Sequence, residues 1–146
     1  MKALIILIMA IVFVASCHRN TFDIFHETER ADSIYHGNDA VLAQKALESY
    51  ISRAEANEGV SRKVKSINFD MALAWACLQL SSIYEINGDH VNSEILINKA
   101  IAYFDRDPIF ASNPNYYKNK RTALIDLFNK CENSEKPQWK LQKETN

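Results

Sequence analysis

Four histidines and three cysteines are the side chains of this 146-residue chain best suited to metal or nucleophile chemistry. The histidines are His18, His26, His36 and His90. A helical zinc site of the metalloprotease kind needs two histidines four residues apart, with a glutamate beside the first, so that both imidazoles face one ion. No such pair occurs. His26-Glu27-Thr28-Glu29 puts a carboxylate three residues after an imidazole, the spacing of a surface pair on a helix. His36 falls where a helical stretch ends, and a cation there favours the helix dipole. Cys77 and Cys131 both fall on apolar helical faces, which suits two buried small hydrophobes. An oxidising compartment would instead permit a disulfide between them. A cysteine nucleophile would need a histidine base nearby, and no motif supplies one. Gly-rich phosphate loops, Gly-x-Ser-x-Gly and Cys-x-x-Cys are all missing. This pattern points away from an enzyme, a metal site or a bound cofactor.

The third cysteine, Cys17, closes a leader. Lys2 gives a short positive start, Ala3 to Ala15 run unbroken and apolar, and Ala15-Ser16 are small. That is the build of a secretory signal peptide. The run is too short for a spanning helix, which needs about 20 apolar residues. Val14-Ala15-Ser16-Cys17 resembles the lipobox of bacterial lipoproteins: a branched apolar residue, two small residues, then cysteine. The small residues let the chain enter a peptidase groove in extended form, and the thiolate is the group that accepts a lipid. The resemblance implies a diacylglyceryl thioether on Cys17, cleavage before it and usually an acylated amino terminus. Two or three acyl chains anchor stably where one does not. The residue after Cys17 is His18 and not Asp, which in this family leans to the outer membrane where the cell has one. Cleavage by ordinary signal peptidase, or an uncut leader kept as an anchor, are the competing outcomes.

The formal charge is −1. Removing residues 1–16 takes away Lys2 alone, leaving 16 basic and 18 acidic residues and a charge of −2. Such balance argues against nucleic acid as the main partner. The stretch from Lys118 is locally basic, with seven Lys/Arg against four Asp/Glu, and reads as a solvated face and tail.

Three glycines and three prolines among many strong helix formers favour α-helix. Five amphipathic segments follow the leader. The first spans about 21–36, with Phe22, Phe25, Ala31 and Tyr35 on one face, and Gly37-Asn38 end it. Asp39 caps a second helix running to about 57, with Ala43, Ala46, Leu47, Tyr50, Ile51 and Ala54 inward. A basic connector, 59–66, leads to a third helix ending at Asn87. Its main face is Phe69, Ala72, Leu73, Ala76, Cys77, Leu80, Ile83 and Tyr84. A second apolar patch, Met71, Trp75 and Leu78, lies opposite. A helix apolar on two sides is buried between neighbours, so this one belongs at the centre. A fourth helix follows the Asn87-Gly88-Asp89 turn to about Arg106, with Ser93, Leu96, Ile97, Ala100 and Phe104 on one face. A loop with Pro108 and Pro114 precedes a fifth helix from about Tyr116 to Asn133, facing inward with Tyr117, Leu124, Leu127, Phe128 and Cys131. The polar end after Ser134 carries no pattern and is expected to be loose, apart from docking by Trp139 or Leu141.

The third and fourth segments are similar to one tetratricopeptide repeat, a family that joins two helices by a Gly-Asp turn and sets small residues where they touch. Leu80 and Tyr84 fit its first helix, Gly88-Asp89 its turn, and Ser93 and Ala100 its small positions. Cys77 stands where a Trp is frequent, Ser81 where a Gly is frequent, Ile97 where an aromatic is usual, and Asp105 where a Pro is usual. Asp39, Ala43 and Leu47 repeat the spacing of Asp89, Ser93 and Ile97 fifty residues earlier, as a weaker second copy. A plain helical bundle with a chance Gly-Asp turn is the competing architecture. The resemblance implies that the first helix of each pair lines a concave surface. Met71, Trp75, Leu78 and Glu85 would then face a partner, or pack on the first helix.

The sequence therefore leads to an all-α chain of antiparallel, tetratricopeptide-like hairpins with about five helices. Residues 1–16 are the signal peptide, 17–20 the lipidated cysteine and tether, 21–134 the helical domain and 135–146 a polar tail. The expected role is a non-catalytic adaptor, lipid-anchored at the cell envelope, that holds a protein or peptide and uses no small-molecule substrate. The alternative is a structural lipoprotein subunit of a larger envelope complex, such as a secretion, pilus or conjugation apparatus.

Overall fold

Among the described residues there are six helices: α1 (Ile24–Tyr35), α2 (Ala40–Ala56), α3 (Phe69–Ile86), α4 (His90–Phe104), α5 (Lys120–Glu132) and α6 (Gln138–Glu144). They come from a computed structural model that describes residues 24–58, 69–106 and 119–144. The leader, Cys17 and Tyr117 lie outside the described residues. Each second helix of a hairpin starts on an aspartate, as the sequence requires. The Asp39 carboxylate accepts the Val41 and Leu42 N–H groups at 2.9 and 3.0 Å, and that of Asp89 accepts the Asn92 N–H at 3.1 Å. These bonds satisfy N–H groups that an α-helix cannot pair within itself.

The α3–α4 turn needs its glycine. Gly88 sits at φ +79°, a backbone region open to Gly at little steric cost. From there its N–H reaches Glu85 O at 3.0 Å, and the Asp89 N–H reaches Tyr84 O at 2.9 Å. That paired closure folds α4 back along α3.

α1–α2 and α3–α4 form two antiparallel hairpins packed side by side, with α2 and α1 against α3, and α5 against α4 and α3. Small residues stand where helices meet: Ala43, Ala54, Ala74 and Ala100 have no exposed surface, and Ser93 has almost none. Leu47 and Ile97 fill equivalent places in the two hairpins, both buried. α3 buries ten residues on both its flanks and is the central helix, as its two apolar faces predict.

The carboxyl end, expected to be loose apart from docking by Trp139 or Leu141, forms a helix. Gln138–Glu144 form α6, and Trp139 is buried while Leu141 stays exposed. The Trp139 indole N–H donates to Tyr35 O at 2.7 Å, and its backbone N–H to Gly37 O at 3.1 Å. The Tyr35 hydroxyl donates to Glu132, whose other oxygen takes the Lys140 ammonium at 2.7 Å. A polar, proline-containing stretch is thus held by one buried indole, buried Pro137 and a paired buried carboxylate. α5 differs in one detail. Its buried stripe is Leu124, Phe128 and Glu132, so Cys131 faces outward. Among the described residues no helix is long and apolar enough to cross a membrane.

Candidate functional site

α3 and α1 leave a cleft of about 400 Å³ between them. Met71 and Trp75, half-buried, form the α3 wall, one helical turn apart. The α1 wall carries Thr28, Glu29, Ala31 and Asp32, and Tyr50 of α2 reaches in between. The Trp75 ring is fixed edge-on against Phe128 of α5, with centroids 5.3 Å apart. The Tyr50 hydroxyl pairs with Thr28 Oγ1 at 2.8 Å, and burial pushes its acidity down, raising the pKa to about 12. Gln79, almost fully buried, donates its amide N–H to Asp32 Oδ1 at 2.6 Å.

The four residues expected on one partner-binding surface separate. Met71 and Trp75 share the α1–α3 cleft. Leu78 is 1% exposed and, with Ile125 and Phe128, lines the space between α3 and α5; it is core and offers no surface to a partner. Glu85 lies further along α3, exposed, 2.9 Å from His90 Nδ1. That hydrogen bond holds its carboxyl below the usual carboxylate range. It borders a second groove of about 330 Å³ between α3, α4 and α5, where Arg121 pairs with Glu94 at 2.7 Å. The arginine lowers the Glu94 pKa in the same way. The physical reason for the split is α5: it covers the Leu78 side of α3 and divides the expected surface in two.

Both described cysteines are free. Cys77 is wholly buried, and burial pushes its thiol up to about 12, with Lys99 and Glu55 as the charged groups it senses. It therefore faces α2 and α4, while Cys131 is exposed on α5, and the bridge considered from sequence is not formed. Among the described residues no three His, Cys, Asp or Glu side chains are grouped to hold a metal ion. His26 is 3.9 Å from Glu29 and His36 is 3.6 Å from Asp32, contacts longer than hydrogen bonds.

Gln79 and Asp32 are the residues that sequence reading missed. The signal was present: Gln79 is a lone polar side chain between Leu78 and Leu80 in a run otherwise apolar. No family model, no curated protein and no solved structure matches the chain.

Proposed function

We propose that this protein is a lipid-anchored adaptor of the cell envelope, without chemistry of its own, that holds a protein or peptide in the cleft between α1 and α3. The observation that carries the reading is the half-buried Met71–Trp75 wall, which the folded helices leave facing a cleft that is mostly apolar. Aromatic and Met side chains are enriched where partners bind. The lipobox-like Val14-Ala15-Ser16-Cys17 supplies the address, and the tetratricopeptide-like hairpin supplies a reason for the first helices of the pairs to line one surface.

A structural subunit is the second reading. It is favoured by exposed apolar residues on the outer sides of α2 and α4: Val41 at 62%, Val91 at 72% and Ile95 at 57% exposure. One experiment separates the two. The full-length protein is cross-linked in bacterial membranes and its captured species compared between wild type and variants. Trp75→Ala and Met71→Glu, folded by circular dichroism, are expected to lose the captured species. Unchanged capture by both contradicts the cleft. Loss with Val91→Asp and Ile95→Asp instead moves the interface to the outer face and supports the subunit.

A further inference from the structure

The charge pattern of the α1–α3 cleft narrows what fits it. Among the described residues its charged lining is two carboxylates, Glu29 and Asp32, with no lysine or arginine. The neighbouring cleft on the other side of α1 is the reverse, with Arg30, Lys45 and Arg53 against Glu27. One helix thus separates an acidic, apolar cleft from a basic one.

Hydrogen-bonding capacity is also left over. Gln79 is 2% exposed and uses its amide nitrogen on Asp32, while its amide oxygen has no partner among the described residues. A buried acceptor left unpaired is costly, and an incoming donor removes that cost. Asp32 Oδ1 takes the Gln79 amide, and Oδ2 accepts no hydrogen bond among the described residues. Glu29 has His26 at 3.9 Å, which leaves its oxygens open to a donor.

We propose that this cleft binds an arginine side chain of a peptide partner. The inference rests on the adaptor reading above and adds the partner's chemistry to it. Arginine carries five N–H donors in a planar fork. They suit an acceptor set of two carboxylates and one amide oxygen, and the positive charge suits a lining with no lysine or arginine among the described residues. The aliphatic stem lies along Met71 and Trp75, since long basic side chains bury their methylenes on apolar surface. The indole face adds attraction for the cation.

The test reads the two tryptophan indole N–H signals of the full-length, ¹⁵N-labelled chain in detergent, with Trp75→Phe to assign them. The Trp139 indole, bonded to Tyr35 O, is the internal reference. The probe is the acetylated, amidated peptide Ala-Leu-Arg-Ala-Leu, beside the same peptide with citrulline, which keeps the shape and loses the charge. The arginine peptide is expected to move the Trp75 signal saturably and leave Trp139 in place, and the citrulline peptide to bind about tenfold more weakly. Asp32→Asn keeps an acceptor for Gln79, so the fold stands. It should weaken the arginine peptide by about five- to tenfold and leave the citrulline peptide unchanged. Equal binding of the two peptides overturns the arginine assignment while leaving the cleft a docking surface. If neither peptide moves Trp75, the assignment is overturned outright, and capture by Trp75→Ala decides the adaptor reading independently.

Discussion

Cys77 and Cys131 share a residue type and nothing else. Cys77 is sealed between α2, α3 and α4 with its thiol raised to about 12, so almost no thiolate forms at neutral pH. Cys131 is exposed on α5. In a Cys17→Ser variant, a maleimide should label Cys131 within minutes under native conditions and Cys77 only after unfolding, with no reductant needed for either. A missing thiol in the unfolded, unreduced protein would show a bridge and contradict this account. Burial of Cys77 was legible from its place in an unbroken apolar stripe. The outward turn of Cys131 was not. Its spacing from Leu124 and Leu127 fits an apolar face, but Glu132 takes the inward position because Tyr35, 97 residues away, donates to it. A hydrophobic pattern cannot register a carboxylate drawn inward by so distant a hydroxyl. Gln79 stood out as a lone polar residue in an apolar run, but its pairing with Asp32, 47 residues away, was hidden for the same reason.

At the scale of elements, the 3.6-residue period located α1 to α5, because each has enough turns to show a stripe. α6 has seven residues, too few to show a period or to stand alone in water. Its helicity therefore comes from where it docks: the indole of Trp139 against Tyr35, with ring centroids 5.8 Å apart, and two backbone bonds to the α1–α2 turn at His36 and Gly37. Trp139→Ala should cost about 3–5 kcal/mol, the range for emptying a buried aromatic site, read from the urea midpoint at unchanged slope. A loss under about 1 kcal/mol would mean that α6 is not held this way. The Met71–Trp75 wall was legible as a patch opposite the main face of α3. Its division was not, since Leu78 is covered only once α5 has packed across it.

For the whole molecule, the question is how the two described hairpins and α5 are held together. α6 answers it. The chain leaves α5, turns, and pins its last helix to the turn of the first hairpin, with Lys140, Glu132, Tyr35 and Ser82 linked beneath it. The domain is fastened end to end and leaves the α1–α3 cleft open on its flank. What such a domain does depends on where it is held, and the proposal places it on a membrane through Cys17. The most direct measurement is the intact mass of the protein recovered from bacterial membranes, beside a Cys17→Ser variant. The account predicts a chain that begins at residue 17 and is heavier by two or three acyl chains, with the variant unmodified. A wild-type chain without lipid, cut or uncut, would contradict it.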